Sequence, residues 1–175
     1  MAGQVLYRRR LVHALDEAQA QVVYIYGPAG FGKTTTARQW SESQEDPTVW
    51  VEGQSTTHAS ELLQMFIEAI AKAVPALEEK LNEFDGERKT DDDYVTDLLS
   101  VISKSRQKLN MIVDNAEVIR QSHNELARRL VSESPSNIKL ILLTNTSPRV
   151  SFIKEFGLER FTVIGPEELQ FTKEE

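Results

Sequence analysis

No cysteine occurs among the 175 residues, which excludes disulfides and thiolate metal sites. The three histidines, His13, His58 and His123, are scattered and share no metal-ligand spacing. No apolar run approaches the ~20 residues needed to cross a bilayer. The segment Met1-Ala2-Gly3-Gln4 lacks the apolar stretch of a signal peptide. Excess positive charge is missing as well, since 27 acidic residues outweigh 20 basic ones for a formal charge of −7. A nucleic-acid grip needs clustered lysine and arginine to neutralise phosphates, so this piece is not expected to be one by itself. Hydrophobic residues at 40% and charged residues at 27% suit one globular domain able to bury a core, and a cytosolic location is expected.

Short apolar runs alternate with helical patterns along the chain. Val22–Tyr26, Thr48–Val51, Leu109–Val113, Ile138–Leu143 and Phe161–Ile164 read as strands. A helix is expected from about Lys33 to Ser43. Another spans residues 59–74, where Leu62, Phe66, Ala69, Ile70 and Ala73 share one face before Pro75 breaks it. Residues 76–90 are acidic, contain Gly86, and are expected to be a mobile connection. Thr90-Asp91-Asp92-Asp93 then opens a helix with acids in its first turn. Ser122-His123-Asn124-Glu125 matches a capping box for a helix to about Ser132, and Val150–Phe156 forms a short helix closed by Gly157. Strands that are near-continuous apolar runs, separated by helices, predict a mostly parallel five-stranded sheet covered on both faces, a three-layer α/β/α architecture.

Residues 1–20 are expected to be an N-terminal helical segment of the same domain. Leu6, Leu11 and Leu15 would be its stem, and Arg8, Arg9 and Arg10 a solvated face from which one arginine could approach phosphate or ribose. Residues 21–175, which carry the run Gly27-Pro28-Ala29-Gly30-Phe31-Gly32-Lys33-Thr34 matching the phosphate-loop pattern G-x-x-x-x-G-K-[ST], are expected to be the nucleotide-binding domain. Thr172-Lys173-Glu174-Glu175 resembles one more capping box with no helix after it, so the chain is expected to be a C-terminally truncated fragment of a longer protein.

The strand ending at Tyr26 runs into Gly27-Pro28-Ala29-Gly30-Phe31-Gly32-Lys33-Thr34, a complete G-x-x-x-x-G-K-[ST] motif that leads into a helix. Glycines let successive backbone N–H groups turn inward around phosphates, and the helix N-terminus adds partial positive charge. Lys33 is expected to reach the β- and γ-phosphates, Thr34 to coordinate Mg²⁺, Thr35 to support the α-phosphate, and Phe31 to pack. Such a loop needs an acid at a neighbouring strand end to hold Mg²⁺, and Asp114 fits. The residue after it is Asn115, whose amide cannot take a proton but can position water, so slow hydrolysis is expected. No periodicity orients the nearby Glu117. Thr144-Asn145 ends the fourth strand where a side chain can face the γ-phosphate or simply make a polar turn. Gly165-Pro166 is a candidate contact for the base.

These segments resemble the nucleotide-binding domain of the large ATP-binding LuxR-type regulators, members of the STAND class of signalling ATPases. The likeness is carried by Gly27 to Thr35 with Gln39-Trp40, and extends through Arg10-Leu11, Val49-Trp50 and the helix from about Thr57 to Val74. It continues in Ile112-Val113-Asp114, in Leu142-Leu143-Thr144 with Pro148, and in Leu169, Phe171-Thr172 and Glu174. The resemblance implies an AAA+-related fold in which the two site-bearing strands are not adjacent, with ATP, ADP and Mg²⁺ as cofactors. It implies an ADP-bound resting form and an ATP-bound form that oligomerises once an inducer binds elsewhere, with the isolated domain a monomer. Hydrolysis would reset the switch. DNA would be reached only through a C-terminal helix-turn-helix that this chain lacks. Two departures stand out: the family often has a second acid at the position of Asn115, and many members have an arginine at Asn145. Both weaken the expectation of hydrolysis, which leaves a non-hydrolysing signalling scaffold as an alternative. A P-loop small-molecule kinase is the other, but its lid would be basic, whereas residues 76–97 are acidic.

Overall fold

The structure is a computed structural model and describes residues 6–55, 58–82 and 90–172. In chain order they form α1 (Arg9–Glu17), β1 (Val22–Tyr26), α2 (Lys33–Ser41), β2 (Thr48–Glu52), α3 (Ala59–Ala73), α4 (Glu78–Asn82), α5 (Asp91–Ser105), β3 (Leu109–Asp114), α6 (Ala116–Ser122), α7 (Asn124–Ser132), β4 (Ile138–Thr144), α8 (Val150–Phe156), β5 (Phe161–Ile164) and α9 (Pro166–Leu169). The five strands make one sheet in the order β2-β3-β4-β1-β5, and every pairing is parallel. Strand β4 lies between β1 and β3, so the loop after β1 and the acid ending β3 leave the same sheet edge one strand apart.

Period-two alternation sends successive strand residues to opposite faces, and here both faces are buried. Tyr24, Met111, Val113, Leu140 and Leu142 join α3, α5 and α7 in one core, while Val23, Ile25, Ile112, Ile141 and Leu143 join α1 and α2 in the other. The three-layer α/β/α arrangement is therefore present, with the sheet wholly parallel.

Helix α1 belongs to this second core through Leu11, Val12 and Leu15. Its C-terminal carbonyls are capped from the sheet, where Lys139 Nζ donates to Leu15 O at 2.6 Å and Ala18 O at 3.2 Å. Trp40 Nε1 donates to Asp16 Oδ1 at 2.7 Å and ties α1 to α2. Leu6 lies outside the helix and is exposed.

Two local expectations change. Residues 76–82 are not a loose connection: a 3₁₀ turn over Pro75–Leu77 continues into α4 and buries Leu77 and Leu81. The rest of that acidic stretch, with Gly86, lies outside the described residues. Ser122 closes α6, a helix not foreseen, and α7 begins at Asn124 behind His123 rather than in a box opened by Ser122. Thr90 does cap α5, since its Oγ1 accepts from Asp93 N–H at 3.3 Å and its own N–H donates to Asp93 Oδ2 at 3.0 Å. The expected box at Thr172 extends beyond the described residues.

Leu15 has no exposed surface. Leu15→Ala should therefore lower the free energy of unfolding by about 2–5 kcal/mol, the range for deleting a buried leucine, as read from urea denaturation. A loss within error of zero would mean that α1 does not share the core.

Candidate nucleotide site

The loop after β1 begins fixed to its neighbour, with Gly27 N–H donating to Thr144 O at 3.2 Å. Gly30 and Gly32 have φ of 86° and 78°, the left-handed region that glycine enters without steric cost. Gly32 is the N-cap of α2, whose first intrahelical bond runs from Thr36 N to Gly32 O at 2.8 Å. Within the turn before it the Phe31 N–H donates to Pro28 O at 3.3 Å, while the first N–H groups of α2 have no helical carbonyl to bond, the arrangement at which anions bind. Pro28 and Ala29 are exposed at the loop tip, Thr35 is half-buried in the first turn of α2, and Phe31 packs its ring against the second core.

Lys33 is 8% exposed. Its ammonium donates to Gly27 O at 2.7 Å, Pro28 O at 3.1 Å and Asn145 Oδ1 at 3.0 Å, which accounts for all three protons. Burial holds its pKa below the ordinary lysine value, while the nearby carboxylates of Glu117 and Asp114 pull in the opposite direction.

Thr34 and Asp114 meet as the sequence suggests. Thr34 Oγ1 donates to Asp114 Oδ2 at 2.9 Å, and Asn115 N–H donates to Asp114 Oδ1 at 2.9 Å. A hydroxyl and a carboxylate make a hard-oxygen pair that fits Mg²⁺ arriving with phosphates, because that ion keeps most of its ligands as water or phosphate oxygen. Gly53, just after β2, donates its N–H to Asp114 O at 2.7 Å. A Cβ placed there would lie 2.4 Å from Asn115 O, so the end of β3 can approach β2 only across a glycine.

Asn115 has φ 51° and ψ 40°, is the N-cap of α6, and turns the chain from strand to helix. Asparagine tolerates this left-handed conformation better than most residues, a backbone reason for an amide here. The turn brings in Glu117, whose direction the sequence does not disclose. Glu117 is 9% exposed and its Oε1 accepts from Asn145 Nδ2 at 2.9 Å, while Oε2 is buried with no hydrogen bond among the described residues. Asn145 thus bridges the lysine of the loop to a carboxylate on α6.

Of the arginine run, Arg9 and Arg10 are exposed as expected, and only Arg8 leaves the solvated face. Arg8 is 2% exposed; its Nη2 donates to Leu169 O at 2.7 Å and its guanidinium lies over the Phe171 ring. Arg10 Nη2 donates to Glu168 O at 2.7 Å. Arg8 Nη1 lies 3.2 Å from the position a Cβ would take on Gly32, so a cation sits directly beneath the loop. Gly165 and Pro166 start α9, whose Leu169 side chain lies 3.2 Å from the corresponding position on Gly27 and borders the loop.

The profile of the AAA domain family matches residues 15–148. Over 178 aligned residues the chain is 22% identical to the HTH-type transcriptional regulator MalT of Serratia proteamaculans (strain 568), covering 100% of this chain but only 20% of that protein. Among solved structures it is similar to the Aeropyrum pernix ORC1 protein in complex with DNA, at a TM-score of 0.61 and 17% identity over 92% of this chain and 45% of that one. It is also similar to a signal transduction ATPase with numerous domains and a tetratricopeptide repeat sensor from Pyrococcus horikoshii, at a TM-score of 0.55 and 19% identity over 94% of this chain and 23% of that one. These likenesses establish the fold, and the chain spans about a fifth of the curated relative it matches.

Gly53→Ala should force the end of β3 away and lower stability by about 1–3 kcal/mol, the usual cost of overpacking, visible as a lower denaturation midpoint. An unchanged midpoint would show that the β2–β3 contact carries no constraint on Asp114.

Proposed function

Because the chain belongs to the AAA domain family, we propose that it is the ATP-binding regulatory switch domain of a LuxR-type transcriptional regulator, with slow Mg²⁺-dependent hydrolysis resetting the switch. The observation that carries this reading is the relay Lys33–Asn145–Glu117, which links the phosphate loop to a buried carboxylate through two hydrogen bonds of 3.0 and 2.9 Å.

The N–H groups of Gly30 to Thr34 bind phosphate oxygens, and Lys33 takes the β- and γ-phosphates in place of some of its present acceptors. Thr34 and Asp114 would hold Mg²⁺, which would supply charge neutralisation on the phosphates. When Lys33 turns to phosphate, Asn145 Oδ1 loses its donor, so the contact that fixes Asn145 against Glu117 changes with the nucleotide. Glu117 supplies the carboxylate missing at Asn115 and orients water through Oε2, while Asn115 keeps its backbone role. Residue 145 is an amide where many relatives of the resembled family carry arginine, so it adds no positive charge toward a γ-phosphate, consistent with a switch that turns over slowly. In this reading DNA is met by a helix-turn-helix outside this chain, and ATP favours self-association of the longer protein.

Phosphate release from Mg²⁺·ATP should run well below the about 10 s⁻¹ typical of enzymes. Glu117→Gln should slow it a further about 10²-fold, the lower end of general-base effects, with ATP binding retained. Rapid turnover would contradict the switch reading. A rise with Asn115→Asp and no loss with Glu117→Gln would return the water-orienting role to residue 115.

A further inference from the structure

On the face of the sheet away from α1 and α2 lies a cavity of about 180 Å³. Tyr24, Met111 and Leu142 form its floor, and Ile119 of α6 and Phe152 of α8 stand in its walls. Well-packed interiors hold few voids larger than a water molecule, and apolar voids of about 150 Å³ bind small hydrophobic molecules. The rim is not apolar. Arg120, Arg128 and Arg149 line it against a single acid, Glu155, in a chain whose formal charge is −7. Arg128 is held by its ion pair with Glu155 and stands 5.9 Å from the Phe156 ring centre. Arg120 contributes more directly, since its Nε is buried and makes no hydrogen bond among the described residues. A buried donor left without an acceptor carries a desolvation cost that an incoming anion would recover.

The cavity also touches both segments that carry the nucleotide relay. Helix α6 bears Glu117 and lends Ala116, Ile119 and Arg120 to the walls, while the segment after Asn145 lends Pro148 and Arg149. Tyr24 on the floor belongs to β1, whose Tyr26 pairs with Thr144, the residue before Asn145, and burial raises the Tyr24 pKa so that the phenol keeps its proton.

We propose that this cavity is a binding site for a small amphipathic carboxylate, an acyl or aryl chain with one anionic head, whose occupancy is coupled to the nucleotide site through α6 and the Asn145–Arg149 segment. The apolar walls take the chain and Arg120 takes the head. The coupling rests on the relay reading given above; the binding does not. Reciprocity requires that nucleotide and carboxylate change each other's affinity by the same factor.

The test uses octanoate, octanol and octylamine on the nucleotide-free chain, by calorimetry and thermal shift. Octanoate should bind saturably at one site and raise the melting temperature, octanol more weakly, and octylamine not at all. Arg120→Gln should reduce octanoate to the level of octanol, and Ala127→Trp, which fills the cavity from α7, should abolish both. Equal binding of all three probes, absence of saturable octanoate binding, or octanoate binding that survives both substitutions would overturn the site. With the site in hand, octanoate should shift ATP affinity by the factor that ATP shifts octanoate affinity. Octanoate binding with ATP affinity unmoved overturns the coupling. Octanoate binding by a chain that takes up no ATP at all overturns the nucleotide reading and upholds the cavity.

Discussion

A buried ammonium organises one end of this molecule. An unpaired charge of that kind is too costly to bury, so each proton of Lys33 must find an acceptor. Two acceptors are carbonyls of the loop itself and the third is Asn145, across the end of β4. The carbonyls of Gly27 and Pro28 can turn toward the lysine only because the chain then reverses through Gly30 and Gly32 in left-handed conformations. Asn145 can reach it only because β4 is the neighbour of β1. Loop conformation, strand order and the position of α6 therefore all answer to one cation, and a phosphate would enter that same set of contacts as a stronger acceptor.

The sheet order explains why these pieces meet. Parallel strands bring their carboxyl ends to one edge, and β1, β4 and β3 lie side by side there. The loop, Asn145 and Asp114 are thus delivered by three consecutive positions in the sheet, although 112 residues separate Lys33 from Asn145. One face of the same strands floors the cavity, and α6 and the segment following β4 border both the cavity and the Lys33–Asn145–Glu117 contacts.

Much of this was legible in the residues because it is local. The loop motif is eight consecutive residues whose conformation is set by its own glycines, and Asp114 follows an apolar run that ends where it must. Asn145 was visible for the same reason. What stayed hidden depends on distant partners or on elements too short to show a period. Helix α6 has seven residues and starts behind an asparagine in the left-handed region, so no pattern announced it, and Glu117 had no direction without it. Arg8 read as solvated because the carbonyl that buries it is 161 positions away. The acidic composition after Pro75 concealed Leu77 and Leu81, four residues apart on a short turn of helix. In the sequence Asn115 looks like a missing acid, and its backbone angles supply a second reason for it.

The central claim is that Lys33 is held ready for phosphate rather than locked in a purely structural contact. Isothermal titration of the chain with Mg²⁺·ATP and Mg²⁺·ADP, repeated on Lys33→Ala, tests it most directly. One site should bind both nucleotides, and the substitution should weaken ATP at least about tenfold, or 1.4 kcal/mol. No binding of either nucleotide, or an ATP affinity indifferent to Lys33→Ala in a folded chain, would contradict the account.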